Sequence, residues 1–182
     1  MWYCRSARWT RAVEGRLLPW VLSDVDLGSS VLELGPGPGV TTQVLARRVP
    51  ALTALELDPV LADRLRATTP ANVTVVEGDA TAMSLPDNTF SAVVCFTMLH
   101  HLPSSESQDA LFAEAYRVLR PGGVFVGSDS RLSLRMRLYH VADTMTIIPL
   151  DQFPPRLSAV GFTDVAVGTS PRSNRFRGVK PL

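Results

Sequence analysis

The sequence of 182 residues is poor in cysteine, in lysine and in long apolar segments, and its charges nearly cancel. Its two cysteines, Cys4 and Cys95, lack the spacing of metal ligands, which argues against a zinc site and against a disulfide framework. Eighteen basic residues against seventeen acidic ones leave a formal charge of +1. This small excess does not favour nucleic acid as a partner, because proteins that bind nucleic acid usually carry a strongly positive charge. The apolar run from Leu17 to Leu22 contains Pro19 and is too short for a signal peptide or a membrane span. We therefore expect a cytoplasmic protein.

The composition provides enough apolar material for a folded core. Hydrophobic residues make up 46% of the chain and charged residues 19%, which excludes disorder as the dominant state. The length predicts a single domain. We divide it into an N-terminal helical cap at 1–27, a core at 28–128, an insertion at 129–160 and a terminal hairpin at 161–182.

Short apolar runs alternate with helical segments from residue 31 onward. Strands alternating with helices predict an α/β fold with a doubly wound, mostly parallel sheet of Rossmann-like type. Ser105 and Gln108 predict a capping box at the start of one of these helices. The predicted strands are Val31–Leu34, Leu52–Leu57, Val73–Glu77, Ala92–Phe96 and Val124–Gly127. The predicted helices between them are 40–48, 59–67 and 105–119.

The alternation stops after the fifth predicted strand. A short helix at 151–160, ended by Gly161, precedes two apolar runs, Thr163–Val167 and Arg175–Val179, which predict an antiparallel hairpin. Residues 130–150 mix apolar side chains with three arginines, which fit either a solvated helix face or a lid over a bound molecule. These arginines are Arg131, Arg135 and Arg137.

A glycine-rich loop follows the first predicted strand. Gly35, Gly37 and Gly39 alternate with Pro36 and Pro38, and glycine allows a sharp turn and a close approach of a ligand to the backbone. Taken alone, the loop is also compatible with a plain strand-to-helix turn. The spacing differs from the G-x-G-x-x-G of dinucleotide sites, and the prolines lack the N–H groups that hold a pyrophosphate. A ligand without phosphates fits this loop better.

Two carboxylates follow the next two predicted strands. Glu56 can accept both hydroxyls of an adenosine ribose, or it can interact with the following helix, for which Asp58 is the better candidate. Asp79 can accept from an exocyclic amine such as that of adenine, or it can form a turn. These residues and the glycine loop all follow strands, so we expect them in the crevice at the carboxyl ends of a parallel sheet.

Two adjacent histidines follow the fourth predicted strand. His100 and His101 could supply a general base for an acceptor proton, or they could be structural hydrogen-bonding residues. We find no cluster of Asp, Asn and His that suggests a metal site.

Several segments of the chain resemble the successive motifs of class I S-adenosylmethionine-dependent methyltransferases. The resemblance covers residues 28–128, with Ser91 where the family usually has Asp and with Pro38 as a second departure. It implies seven strands in the order 3-2-1-4-5-7-6, with the seventh antiparallel. The segments are Val31–Thr42, Leu55–Pro59, Glu77–Ala82, Leu85–Val94 and Tyr116–Gly123.

The resemblance also implies S-adenosyl-L-methionine as cofactor and a set of residues that bind it. Those expected along the methionine part are Glu33, Gly35, Gly37 and Gly39. Those expected at the adenosine part are Glu56 for the ribose hydroxyls, Leu57 and Met83 flanking the adenine, and Asp79 and Ala80 at its edge. Phe96 is expected to offer its carbonyl to the ammonium group, and His101 is favoured over His100 as the catalytic residue.

The predicted activity is methyl transfer to a small, apolar acceptor. The Asn/Asp-Pro-Pro-aromatic pattern of methyltransferases that act on amino groups of bases does not follow the fourth strand. One alternative is a non-catalytic nucleoside-binding protein with the same fold. An oxidoreductase that uses NAD(P) is a further alternative, which the glycine spacing and the two prolines disfavour.

Overall fold

The computed structural model describes residues 7–131 and 145–182, and its strands form one seven-stranded sheet. The strands are β1 (Ser30–Leu34), β2 (Ala51–Glu56), β3 (Val73–Glu77), β4 (Phe90–Phe96), β5 (Leu119–Ser130), β6 (Thr163–Thr169) and β7 (Ser173–Val179). Their order across the sheet is β3-β2-β1-β4-β5-β7-β6, which confirms the predicted order. The neighbours from β3 to β5 are parallel, and β7 is antiparallel to both β5 and β6.

The helices connect the strands in the predicted alternation. Asp58 caps α4 (Pro59–Thr68), since its Oδ1 accepts from the backbone N–H of Val60 at 2.8 Å, and Pro59 occupies the first helical turn. Gly161 ends α6 (Phe153–Val160) in a left-handed conformation with φ of +115°, as expected for a residue at that position. The helices are α1 (Ala7–Ala12), α2 (Leu18–Val21), α3 (Val40–Leu45), α4 (Pro59–Thr68), α5 (Ser105–Val118) and α6 (Phe153–Val160). A π-helical segment, Val13–Leu17, joins α1 to α2.

The two faces of the sheet bury different side chains. The face covered by α2 and α3 is mainly aliphatic, whereas the face covered by α5 and α6 contains a group of contacting aromatic rings. Every residue of β4 is buried, as expected for a strand at the centre of a doubly wound sheet. The buried phenylalanines of the aromatic face are Phe90, Phe112, Phe125, Phe153, Phe162 and Phe176.

Several predicted boundaries differ from the structure by a few residues, and three of these differences have a clear physical reason. The N-cap of α5 is Ser104 rather than Ser105, because Ser104 keeps an extended backbone after Pro103 and its hydroxyl accepts from the N–H of Ser107. The predicted helix at 40–48 ends at Leu45, because the chain tightens there into a turn in which the N–H of Arg48 donates to the carbonyl of Leu45 at 2.8 Å.

The third wrong boundary is that of β5. The strand runs from Leu119 to Ser130 rather than from 124 to 127, because its two edges pair with β4 and β7 along most of this length. The predicted lid arginines Arg135 and Arg137 lie outside the described residues. Arg131 is described and donates to the carbonyl of Ser170 at the exposed surface.

Candidate functional site

The glycine loop turns directly after β1 and leads into α3. Gly35, Gly37 and Gly39 all have positive φ, at +61°, +55° and +83°. A Cβ at Gly35 would overlap Met98, and a Cβ at Gly39 would overlap Leu65. A Cβ at Gly37 would meet no atom of the described residues within 4 Å. Packing therefore accounts for the outer two glycines, whereas the space beside Gly37 is open to a ligand.

Glu56, the last residue of β2, ties the glycine loop to the start of α4. Its Oε2 accepts from the N–H of Gly37 at 2.8 Å, and its Oε1 accepts from the N–H of Asp58 at 3.1 Å. The side chain is largely buried, with 7% of its surface exposed. Each carboxylate oxygen can accept a further hydrogen bond, so Glu56 is a fixed acceptor beside the open space at Gly37.

Glu33 is a buried carboxyl near the carboxyl end of β1. The hydroxyl of Thr41 donates to its Oε1, while its Oε2 has no hydrogen-bond partner among the described residues. Burial raises the pKa of Glu33 to about 7, although the hydroxyls of Thr41 and Thr42 act in the opposite direction. A buried oxygen without a partner costs free energy, and a hydrogen-bond donor or cation placed there would remove that cost.

The residues predicted to contact adenine lie around the carboxyl ends of β2 and β3. Leu57 is exposed over 66% of its surface, whereas Ala80 and Met83 are buried. Asp79 forms a turn, since its Oδ1 accepts from both the N–H and the hydroxyl of Thr81 at 2.8 Å. The structure therefore shows the turn-forming role of Asp79, and adenine contact by these residues stays a prediction.

The crevice next to β4 contains a backbone conformation that the sequence did not indicate. Phe96 ends β4 and is buried, and Thr97 after it has φ of +52°. A positive φ is unusual for a β-branched residue and costs of the order of 1–3 kcal/mol. The N–H of Thr97 donates to the carbonyl of Ser128 in β5 at 2.7 Å, which holds it there. Such strain is found preferentially at functional sites.

The two histidines differ in their surroundings. His100 is buried, and its Nδ1 lies 2.5 Å from Oδ1 of Asp129, which is buried near the end of β5. His101 is exposed, and its ring centroid lies 4.2 Å from that of His100. Asp129 gives no signal in the sequence, because only the parallel register of β4 and β5 brings it close to the histidines.

The predicted residues therefore lie at or near the carboxyl ends of the central strands. Here β1 has β2 as its neighbour on one side and β4 on the other, so the strand order reverses at this point. Such a switch point is where open α/β sheets bind ligands. Within residues 7–131 and 145–182, no group of three or more His, Cys, Asp or Glu side chains could hold a metal ion. In the same described part, no helix is long and apolar enough to cross a membrane.

Comparison with known proteins identifies the family. A family model described as "Methyltransferase domain" matches residues 32–127, which is more than half of the chain. The chain belongs to the class I S-adenosylmethionine-dependent methyltransferases. The match covers the glycine loop, both strand-end carboxylates and the histidine pair of this methyltransferase domain.

Curated relatives with different names match this methyltransferase domain. A protein of Pyrobaculum aerophilum, named "Probable ribosomal RNA small subunit methyltransferase A", is 31% identical over 72% of the chain and 60% of its own length. A fatty-acid O-methyltransferase of Mycolicibacterium smegmatis is 38% identical over 60% of the chain and 39% of its own length. The chain thus spans less than two thirds of both relatives, and their names differ in the acceptor.

Solved structures share the fold. Phosphoethanolamine N-methyltransferase 2 of Haemonchus contortus, solved in complex with S-adenosyl-L-methionine, superposes with a TM-score of 0.75 at 19% sequence identity. The superposition covers 97% of the present chain and 53% of the Haemonchus chain. At this identity the likeness establishes the fold alone.

Proposed function

We propose that this methyltransferase domain binds S-adenosyl-L-methionine at the carboxyl ends of β1 to β4 and transfers its methyl group to a small, apolar acceptor. The proposal rests mainly on the tip of the glycine loop. There the N–H of Gly37 is bonded to Glu56, and the space where a side chain would stand is open. Glu56 is therefore held in place to accept hydrogen bonds from hydroxyl groups of a ligand, beside a backbone that leaves room for that ligand.

The residues present fit this cofactor. Glu33 has a buried oxygen in need of a donor, and the cofactor has an ammonium group and a sulfonium. Leu57 offers an exposed apolar side chain for the adenine. The residues proposed to hold the methionine part are Glu33, Gly35, Gly37, Gly39 and the carbonyl of Phe96. Those proposed to hold the adenosine part are Glu56, Leu57, Asp79, Ala80 and Met83.

When bound, the cofactor supplies an electrophilic methyl group on a sulfonium. The chain's own contribution is to orient the acceptor for in-line displacement and to keep water away from the reacting atoms. His101 is our candidate for taking a proton from an acceptor that carries one, next to the buried pair of His100 and Asp129.

A second candidate acceptor is an RNA base, because relatives named as ribosomal RNA methyltransferases match the chain. Two observations favour a small molecule instead. From the last residue of β4 onward, residues 96–99 read Phe-Thr-Met-Leu, which differs from the pattern of enzymes that act on amino groups of bases. The formal charge of +1 also gives little attraction to a polyanion.

Calorimetric titration and an acceptor screen test the proposal separately. The protein should bind S-adenosylmethionine and S-adenosylhomocysteine but not NAD, and binding of NAD alone would overturn the cofactor assignment. With labelled cofactor, small apolar acids, alcohols and amines should become methylated, whereas a ribosomal RNA transcript should not. Methylation of the RNA alone would establish the second candidate. Cofactor binding without transfer to either class would support a non-catalytic binding protein.

A further inference from the structure

The connection between β3 and β4, residues 78–89, contains neither helix nor strand. Its first part is a turn around Asp79, and near its end the N–H of Thr89 donates to the carbonyl of Val118. Two side chains of α5, Glu114 and Arg117, hold the middle of this connection, and we call them the Glu114–Arg117 latch.

Arg117 uses its full donor capacity in this latch. A guanidinium carries five N–H groups in a planar fork, and all five have an acceptor here. Its acceptors are Oε1 and Oε2 of Glu114 at 2.7 and 2.8 Å, the carbonyls of Met83 and Leu85 at 2.9 and 2.8 Å, and Oδ1 of Asp87 at 2.5 Å. A lysine ammonium has three donors and lacks the planar fork, so it cannot reproduce this set.

Glu114 completes the hold on Met83. Its Oε2 accepts from the N–H of Met83 at 2.6 Å, while Arg117 donates to the Met83 carbonyl. Both backbone polar groups of Met83 are therefore bonded to the latch, and its side chain is buried in the core. The hydrogen bond from Arg117 holds the pKa of Glu114 below its usual range, so the carboxylate is an ionised acceptor at neutral pH.

The position of this segment matters for the proposed cofactor. Four residues are proposed to contact adenine, and three of them, Asp79, Ala80 and Met83, belong to the connection that the latch holds. We propose that Glu114 and Arg117 are positioning residues, which fix the connection between β3 and β4 so that it discriminates adenine from other bases. This inference rests on the proposed cofactor. It assigns the selectivity for the base to two side chains of α5, Glu114 and Arg117, which are not themselves proposed to contact the base.

The chain provides a matched control for the latch. On α4, Arg66 pairs with Asp63 at 2.6 Å and at the same spacing of three residues, and both side chains are exposed. Arg66→Lys therefore makes the same substitution in an Arg–Asp ion pair that does not belong to the connection between β3 and β4.

The experiment compares Arg117→Lys with Arg66→Lys in two measurements. The first is hydrogen exchange at the Met83 amide in the ligand-free protein, which should be faster in Arg117→Lys and unchanged in Arg66→Lys. The second is the ratio of the dissociation constants of S-inosylhomocysteine and S-adenosylhomocysteine, whose bases differ in the exocyclic group. The unaltered protein should favour the adenine ligand by about 10-fold, and Arg117→Lys should bring the ratio close to one.

A general loss of stability would weaken both ligands together and would leave the ratio unchanged. Folding of each variant is checked by circular dichroism, and Glu114→Gln serves as a second variant because it keeps the volume and the carbonyl contacts of Arg117. If the Met83 amide exchanges at the same rate in all variants, or if the ratio is retained, the positioning role is overturned. If the unaltered protein binds neither ligand, it is the proposed cofactor that is overturned.

Discussion

The two halves of the crevice are organised in different ways. In the cofactor half, at the ends of β1, β2 and β3, backbone N–H groups are held by carboxylates near them in the fold, such as Gly37 by Glu56. In the half at the ends of β4 and β5, which we call the acceptor half because it contains the candidate base His101, buried side chains from different elements pair with each other, as His100 does with Asp129. The cofactor half therefore depends on a tight turn, and the acceptor half depends on buried polar pairs.

The acceptor half has a second such arrangement. The amide of Gln108 in α5 donates to the carbonyls of Leu99 and Thr146, at 3.1 and 2.7 Å, and its Oε1 accepts from Arg156 in α6. Gln108 thereby links the turn Leu99–His101, which contains both histidines, to Thr146. Since cofactor and acceptor contacts use separate residues, substitutions in one half should leave the function of the other half unchanged.

The largest expected effect is on the acceptor half. His101→Ala should lower turnover by about 10²–10⁴-fold, the usual contribution of acid–base catalysis, and should leave the affinity for S-adenosylmethionine unchanged. The measurement is kcat with an acceptor found in the screen, together with calorimetric cofactor binding. An acceptor that is already deprotonated should recover most of the loss.

His100→Ala is the comparison for this variant. Removing His100 leaves the buried carboxylate of Asp129 without its partner, so the free energy of unfolding should fall by about 3 kcal/mol. If His100→Ala instead loses turnover at full stability, and His101→Ala does not, the assignment of the catalytic histidine is wrong.

The difference between the halves also explains what could be predicted from the sequence. The strands and the glycine loop give local signals, namely apolar periodicity and glycine spacing, which are visible without a structure. The order of the strands is predicted from the family resemblance. The partner of His100 depends on the register between β4 and β5, and the sequence carries no local sign of that register. Gln108 illustrates the same point, because the sequence predicted a capping residue and the structure shows a buried link between distant segments.

The next largest effect is expected at Glu56. Glu56→Ala should weaken S-adenosylmethionine binding by about 1.5–3 kcal/mol, the typical contribution of hydrogen bonds to a charged group. A cofactor analogue that lacks both ribose hydroxyls should bind the variant with little further loss. If the losses from variant and analogue simply add in calorimetric titrations, Glu56 does not contact the ribose.

A smaller effect is expected at Gly37, where conformation and space can be separated. Asn tolerates the left-handed region better than other residues with a side chain, so Gly37→Asn fills the open space at little conformational cost. Cofactor affinity should fall by about 10-fold to 100-fold, as for overpacking a site, with the melting temperature nearly unchanged. The control is Gly15→Asn in the exposed N-terminal helical segment. Equal cofactor affinity in Gly37→Asn and the unaltered protein would show that the space serves no ligand.

The smallest effect concerns Glu33 and depends on pH. Because its pKa is raised to about 7 in the folded protein, while an unfolded glutamate titrates near 4.5, the folded state holds a proton over this range that the unfolded state has released. The stability contributed by protonated Glu33 is therefore present below about pH 4.5 and is lost as the pH rises toward 7. Thermal unfolding at pH 6 and pH 8 should show the upper part of this loss, about 1–2 kcal/mol, in the unaltered protein but not in Glu33→Gln.

Cofactor binding should reverse the preference of Glu33 for its neutral form. A cation placed near the buried carboxyl stabilises the ionised form, so binding of S-adenosylmethionine near pH 6.5 should release a proton. Titrations in buffers with different ionisation enthalpies measure that release directly, and Glu33→Gln should abolish it. Binding without proton release in the unaltered protein would place the cationic end of the cofactor away from Glu33. The cofactor half would then be organised around Gly37 and Glu56 alone, and the unpartnered oxygen of Glu33 would need a different explanation.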